Sequence, residues 1–282
     1  MLRINPGLKD STPMGLFISK KILGHARRLS ILGARVKFLF VADLHFALKQ
    51  YDWIVANSKG CDLIVIGGDL LDLASALDID TQIGVVEKYL HLLRRNAPVA
   101  VCSGNHDGDS RNAGDESVAS WLQEERGEGI YVDGDSFDLG GVRFTICPWW
   151  DGPISRAEVE TQLEREAARK PARWAWIYHA PPTGSRTNWT GKKSIGDEYL
   201  HTWIERYQPE MVLGGHIHNA PFFPDGSWVD RIGRTWVFNP GRMIGAEPTS
   251  VCIDTDAMTA EWHSVTDRPK LVSLAGAPGA SS

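Results

Sequence analysis

The chain repeats one arrangement five times: a short apolar run that ends abruptly in side chains able to bind metal ions. Between these runs, apolar residues such as Ile83, Val86 and Leu90 recur at helical spacing. Strands that alternate with helices predict an α/β fold in which helices cover the sheets, and ligands of such folds bind outside the carboxyl ends of the strands. The five predicted strands are VKFLFVA (36–42), DLIVI (62–66), PVAVC (98–102), WAWIY (174–178) and MVL (211–213).

Other patterns predict the remaining elements. Apolar periodicity or high charge predicts helices over 48–58, 80–96, 115–126, 155–169 and 197–207. Antiparallel strands are predicted at 131–132, 137–139 and 142–147, with Gly140 and Gly141 as the turn of a hairpin. Trp228, 236–238 and 251–253 predict a closing antiparallel sheet, and 260–263 a last strand.

We expect one large domain over residues 36–265, because 282 residues of which 43% are hydrophobic suffice for a large α/β domain. Residues 1–35 form an N-terminal extension. Segment 14–37 mixes basic and apolar residues, so it predicts a helix that either packs on the domain or lies on an anionic membrane. Residues 266–282 are rich in Gly, Ala, Ser and Pro and predict a disordered tail.

Composition narrows the class of protein. The net charge of −5 argues against a general nucleic-acid binder, which would carry a basic surplus. The four cysteines are widely spaced with no CxxC, as expected for small buried side chains in a reducing compartment. No run approaches the roughly 18 apolar residues of a membrane span, and no signal-peptide pattern is evident, so we expect a cytoplasmic protein.

The polar residues after the five strands form one consistent ligand set. They offer oxygen and imidazole atoms without a thiolate, which suits Mn, Fe, Zn, Mg or Ni better than a soft metal. Side chains alternate along an extended chain, so each of the pairs Asp43/His45 and His216/His218 points to one side. In chain order the five loops hold Asp43-Leu44-His45, Gly68-Asp69-Leu70-Leu71-Asp72, Gly104-Asn105-His106-Asp107, His179, and Gly215-His216-Ile217-His218.

Together these loops resemble the motifs of the calcineurin-like metallophosphoesterase family: D-x-H, G-D-x-x-D, G-N-H-[DE], an isolated His and G-H-x-H. Asn239-Pro240-Gly241 is similar to the N-P-G that often follows in bacterial members. The resemblance covers about residues 36–263. It implies an α/β fold built as a two-sheet sandwich flanked by helices, in αββα layers.

The resemblance also implies two divalent metal ions, Mn, Fe, Zn or Ni, and a hydroxide between them that attacks phosphorus. Asp69 would bridge the two ions. The remaining ligands would be Asp43, His45 and His218 for the first ion, and Asn105, His179 and His216 for the second.

Three further residues receive roles from the same resemblance. His106 would protonate the leaving alkoxide or stabilise the phosphoryl oxygens. Asp72 and Asp107 would each accept the other N–H of a ligand imidazole and so orient it.

Two features bear on the substrate. Protein phosphatases of the family carry arginines after G-D-x-x-D and G-N-H-E, where this chain has Leu73 and Asp107-Gly108, which argues against a protein substrate. Loop 183–196 is either a solvated loop or a lid over the substrate. In a lid, Arg186, Lys192 and Lys193 would hold a phosphate or nucleotide and Trp189 would stack on a base.

The sequence therefore predicts metal-dependent hydrolysis of a small-molecule or nucleotide phosphoester, with diesters slightly ahead of monoesters because nothing obvious clamps a dianion. One alternative is a nuclease acting on DNA or RNA ends, which the acidic composition disfavours. The other is a non-catalytic metal-binding scaffold, whose members typically lose ligands or the histidine that stands at His106. The identity of the metals and the oligomeric state are left open.

Overall fold

Residues 36–275 are described by a computed structural model, and this part of the chain contains five α-helices and fifteen short strands. The helices are α1 (Leu48–Asn57), α2 (Ile79–Arg94), α3 (Ser120–Glu124), α4 (Pro153–Ala167) and α5 (Glu198–Tyr207). The strands are β1 (Lys37–Val41), β2 (Leu63–Gly67), β3 (Val99–Cys102), β4 (Ser110–Arg111), β5 (Ser117–Val118), β6 (Ile130–Tyr131), β7 (Ser136–Leu139), β8 (Val142–Ile146), β9 (Trp174–Ile177), β10 (Met211–Leu213), β11 (Val229–Ile232), β12 (Thr235–Phe238), β13 (Ser250–Asp254), β14 (Thr259–His263) and β15 (Lys270–Ser273).

Two mixed sheets form the centre of the domain. The first has the order β15-β14-β13-β1-β2-β3-β6, with β1, β2, β3 and β6 parallel and β13, β14 and β15 antiparallel to their neighbours. The second has the order β11-β12-β10-β9-β8-β7, in which β8, β9, β10 and β12 are parallel and the two edge strands are antiparallel. Strand β1 therefore lies between β2 and β13, far from either edge of its sheet.

Alternation along the strands builds three hydrophobic layers. Phe38 and Phe40 of β1 point into the core between the two sheets, while Leu39 and Val41 point outward beneath α1 and α2. Helices α4 and α5 cover the outer face of the second sheet in the same way. Because both faces of the central strands are buried, their sequences are continuously apolar. The predicted αββα sandwich is confirmed.

Several predicted strands have other partners in the structure. Strand β6 was predicted to pair within the 131–147 hairpin, but it adds in parallel to β3 in the first sheet. The predicted closing sheet is divided: β12 runs parallel to β10, and β13 joins β1 in the other sheet. The helix predicted over 115–126 is only the single turn of α3, preceded by β5.

The C-terminal tail predicted to be disordered from residue 266 begins instead with an ordered segment. Strand β15 pairs with β14, Val272 packs against the core between the sheets, and Leu274 is buried. The ammonium group of Lys270 lies 4.6 Å from the centre of the Trp262 ring. The Gly- and Ser-rich composition obscured two apolar side chains, Val272 and Leu274, that alternate with exposed residues as in an edge strand.

The predicted N-terminal extension, residues 1–35, lies outside the described residues. Within residues 36–275, the helices are all too short or too polar to cross a lipid bilayer.

Candidate metal centre

The carboxyl ends of the parallel strands bring the predicted ligands together. Asp43, Asp69 and Asn105 follow β1, β2 and β3, which are neighbours in the first sheet. His179 follows β9, and the pair His216/His218 follows β10, which are neighbours in the second sheet. The cluster therefore lies where the same ends of the two sheets meet.

Asp43, His45, Asp69 and His218 form one group whose potential ligand atoms lie within 4.8 Å of one another. The Nε2 atoms of His45 and His218 are 3.0 Å apart. Nε2 of His45 lies 3.5 Å from Oδ2 of Asp69, and Nε2 of His218 lies 3.4 Å from Oδ1 of Asp43. These four residues could hold one cation.

Asp69, His179 and His216 form a second group that shares Asp69 with the first. Nε2 of His179 lies 3.2 Å from Oδ2 of Asp69, and the rings of His179 and His216 are 5.1 Å apart between centroids. Asn105 stands next to this group, because its neighbour His106 donates its backbone N–H to Oδ1 of Asp69 at 3.0 Å.

The spacing and chemistry of these atoms fit divalent cations. Two ligand atoms bound at 2.0–2.2 Å to one tetrahedral or octahedral ion lie roughly 2.8–3.6 Å apart, and the closest contacts within both groups have such distances. In addition, Oδ1 of Asn105 is buried and accepts no hydrogen bond from the described residues, and buried Nε2 of His179 has carboxylate oxygens as its polar neighbours, Oδ2 of Asp69 at 3.2 Å and Oδ1 of Asp43 at 3.9 Å. Buried polar atoms without a partner are rare, and Oδ1 of Asn105 and Nε2 of His179 are both atoms that a metal would use.

Backbone strain is concentrated in the same loops. Asp43, His45, Asp69 and His216 all have positive φ, between 40° and 68°, a conformation that costs free energy unless the surrounding structure holds it. Gly104 and Gly215 allow the loops to close, because a Cβ atom at either position would collide with the carboxylate of Asp69 or Asp43.

The charges of the site favour bound cations. Burial lowers the pKa of both His45 and His216 to about 4, so these imidazoles are neutral near pH 7 and offer a lone pair. Burial also disfavours the charged form of His179, but Asp69 and Asp43 outweigh it and raise its pKa to about 9. A positive charge is thus stabilised at Nε2 of His179, where a binding metal would displace the proton.

The orientation of His179 comes from a backbone carbonyl rather than a carboxylate. Its Nδ1 lies 2.7 Å from the carbonyl oxygen of Gly67, to which it donates, and this leaves Nε2 free to face Asp69.

His106 lies beside the first group. Its ring is perpendicular to that of His45 with 4.5 Å between centroids. Nδ1 of His106 accepts the backbone N–H of Leu73 at 3.3 Å, so the neutral imidazole carries its proton on Nε2. Nε2–H of His106 is therefore available as a hydrogen-bond donor next to the cluster.

The roles predicted for Asp72 and Asp107 are wrong in one respect: neither accepts a hydrogen bond from an imidazole of residues 36–275. Asp107 is buried and accepts three backbone N–H groups, from Leu70, Leu71 and Gly104. Asp72 lies within 4.8 Å of ring nitrogens of His45 and His106, but its carboxylate accepts the N–H of Ala74. These carboxylates shape the loops, because the backbone amides compete successfully for them.

Loop 183–196 does not present Arg186 to the cluster. Its guanidinium donates to the carbonyl oxygens of Pro224, Asp225 and Gly226, and so fastens the loop to that turn. Trp189 is half-buried, and Lys192 and Lys193 are exposed. Contact of these three residues with substrate stays a prediction.

Two residues near the cluster were missed or undervalued in the sequence. The ring of Trp149, at the end of the segment after β8, lies 5.6 Å from that of His216 and 5.8 Å from that of His179. Arg242 directly follows the Asn239-Pro240-Gly241 motif, and its backbone N–H donates to the carbonyl oxygen of His218. Its position directly after this motif could have identified Arg242 from the sequence as a residue near the cluster.

Comparison with known proteins gives consistent matches. Residues 36–220 match the family model described as calcineurin-like phosphoesterase. Over 203 residues the chain is 26% identical to a protein of Invertebrate iridescent virus 3 that carries the name phosphoesterase 078R, and the alignment covers 68% of this chain but only 55% of the viral protein. The crystal structure of TT1561 of Thermus thermophilus superposes with a TM-score of 0.55 at 14% identity, over 86% of this chain and all of that one. This structural likeness concerns the fold.

Proposed function

The chain belongs to the calcineurin-like phosphoesterase family, and on this basis we propose that it hydrolyses phosphoric esters with two divalent cations held by the Asp69-sharing groups. The observation that carries the proposal is the pair of overlapping ligand groups, together with the buried Oδ1 of Asn105, which has no hydrogen-bond partner among the described residues. Intact ligand groups also argue against a non-catalytic scaffold.

We assign the ligands as the sequence resemblance implies. Asp43, His45 and His218 would hold the first cation, Asn105, His179 and His216 the second, and Asp69 both. When bound, such a pair of cations supplies Lewis acidity and lowers the pKa of water enough to provide a nucleophile near pH 7. The metals themselves, among Mn, Fe, Zn and Ni, are set by availability as much as by these ligands.

The protein's own groups then have three tasks. Burial keeps His45 and His216 neutral, so both can bind a metal near pH 7 without first losing a proton. The Gly67 carbonyl fixes the tautomer of His179. As the bond from phosphorus to the leaving oxygen breaks and water supplies the new one, Nε2–H of the neutral His106 would donate a hydrogen bond that stabilises the negative charge on the leaving oxygen, which takes its proton from water.

The surroundings support a small substrate. A cavity of about 400 Å³ adjoins the cluster and is lined by Trp149, Trp150, Arg156 and Tyr178. Its volume lies within the range of small-molecule sites, and the Trp149 ring that borders it faces two of the proposed ligands. We propose that the organic group of a small-molecule or nucleotide ester occupies this cavity. A cytoplasmic location remains part of the proposal and agrees with four free thiols.

The first test is hydrolysis of bis-p-nitrophenyl phosphate and p-nitrophenyl phosphate by Mn²⁺-loaded protein. We expect Asp69→Asn to lose bound metal and activity together. His106→Gln should keep its metal, measured by elemental analysis, and lose roughly 10²–10⁴-fold in kcat. His91→Gln, an exposed histidine on α2, is the matched control and should behave as the wild type. Full turnover in the Asp69 variant would overturn the proposed site. Comparing the turnover of the diester with that of the monoester tests the predicted preference for diesters.

A further inference from the structure

Arg242 is fixed against the loop that carries His218. Its backbone N–H donates to the carbonyl oxygen of His218 at 3.0 Å. The preceding Gly241 has a φ of 71°, and a side chain there would collide with Pro221. The turn that ends in Gly241 therefore delivers Arg242 to one defined place beside the metal centre.

A second anchor ties the same segment to α1, the helix that follows the His45 loop. Gln50 of α1 is buried, and its Nε2 donates to the carbonyl oxygen of Met243 at 2.8 Å. The segment that contains Arg242 is thus held between α1 and the His218 loop, and the imidazole of His218 approaches that of His45 within 3.0 Å.

The side chain of Arg242 has no anionic partner among residues 36–275. It is half-buried, and its Nε is buried without a hydrogen bond to any of them. Two other half-buried arginines are paired with carboxylates: Arg143 with Glu166 at 2.7 Å and Arg173 with Glu210. A buried guanidinium N–H without an acceptor costs free energy. An anion that bound beside Arg242 would accept this N–H and remove that cost.

We propose that Arg242 binds a non-bridging oxygen of the substrate's phosphoryl group, and that its charge selects phosphomonoester dianions over diesters. This inference rests on the proposed function. The planar guanidinium matches the geometry of a phosphoryl group. Arg242 would supply, from a different loop, the clamp for a dianion that the sequence alone does not reveal. A dianion gains more than a monoanion from an additional fixed positive charge.

The test compares Arg242→Gln and Arg242→Lys with wild type and with Arg95→Gln, an exposed arginine at the end of α2. Binding of inorganic phosphate to Mn²⁺-loaded protein is measured by titration calorimetry, and metal content by elemental analysis. Arg242→Gln should weaken phosphate binding about tenfold or more with unchanged metal content. Arg242→Lys should recover part of that loss, because the charge remains but the planar fork does not.

Kinetics test the selectivity. The ratio of kcat/KM for p-nitrophenyl phosphate to that for bis-p-nitrophenyl phosphate should fall in Arg242→Gln and stay unchanged in Arg95→Gln. Unchanged phosphate affinity in a metal-loaded Arg242→Gln would overturn the inference while the proposed function stood. Equal losses on both substrates would overturn the dianion selectivity. A wild-type protein that binds metal but neither binds phosphate nor hydrolyses either ester would instead overturn the proposed function.

Discussion

Asp107 joins two of the loops that carry the candidate ligands. Its Oδ1 accepts the N–H groups of Leu70 and Leu71, just after Asp69, and its Oδ2 accepts that of Gly104, just before Asn105. Burial, and then the charge of Asp69, raise its pKa to about 7. The position of Asp69, the candidate ligand that the two groups share, therefore depends on a side chain that accepts no hydrogen bond from an imidazole of residues 36–275.

Asp107→Asn should destabilise the protein by about 1–3 kcal/mol, because an amide NH₂ would face a buried backbone N–H and leave it without an acceptor. Urea unfolding at pH 8 in the presence of a chelator measures this cost apart from metal binding. Asp72→Asn is the matched comparison, because among residues 36–275 the Asp72 carboxylate accepts only the exposed N–H of Ala74, and it should change stability by less than about 0.5 kcal/mol. Equal effects of the two substitutions would contradict this role of Asp107.

At the scale of secondary structure, the features that could be predicted from the sequence are those that a local pattern of residues determines. Five segments were predicted as strands because they are short, apolar and bounded by glycines or polar residues; they precede Asp43, Asp69, Asn105, His179 and His216. The candidate ligands at their ends could be identified without knowing which strands pair with each other. Strand pairing was less predictable. Each of β6, β12 and β13 pairs with a strand that is distant in sequence, and such pairing depends on tertiary packing rather than on local pattern.

The beginning of α4 depends on a similarly distant residue. Gly152 precedes the helix and has no side chain to cap it, so the carboxylate of Glu116 accepts the N–H groups of Ile154 and Ser155, each at 2.7 Å. Burial alone would raise the pKa of Glu116. Its hydrogen bonds from Ser155, Ile154 and Asn112 outweigh burial and lower the pKa from 4.5 to about 2.

A lowered pKa in the folded state means that ionised Glu116 stabilises the protein above pH 4.5, and that this contribution is lost as the pH falls toward 2. Wild type should therefore be more stable than Glu116→Gln at pH 7, and the difference between their urea midpoints should narrow from pH 4.5 to pH 3. Glu158→Gln, on the exposed side of α4, should show no such convergence. A difference that is constant with pH would exclude an ionised cap.

At the scale of the whole domain, the candidate centre connects the two sheets. Asp43, Asp69 and Asn105 belong to loops of the first sheet, and His179, His216 and His218 to loops of the second. Cations held there would link the sheets at one end, in addition to the hydrophobic core between them. Metal binding should therefore stabilise the domain as a unit.

At a free Mn²⁺ concentration 100 times the dissociation constant, binding should add about 2.7 kcal/mol of stability. For a domain of this size that corresponds to a rise in Tm of about 5–10 °C over protein treated with a chelator. Differential scanning calorimetry measures the shift. Asp43→Asn should abolish most of it, and Asp225→Asn, an exposed carboxylate, should retain it. A wild-type Tm indifferent to Mn²⁺ and to chelator would argue against a resident metal.

The pairing of β1 with both β2 and β13 also has a consequence for biosynthesis. Lys37 is opposite Asp254, so the ribosome must complete most of the chain before β1 acquires its second neighbour. At about 5–20 residues per second, this delay is on the order of 10–40 s. Throughout it, the apolar edge of β1 is unpaired and open to other strands. The nascent polypeptide, rather than the finished domain, is thus the form most exposed to misassociation.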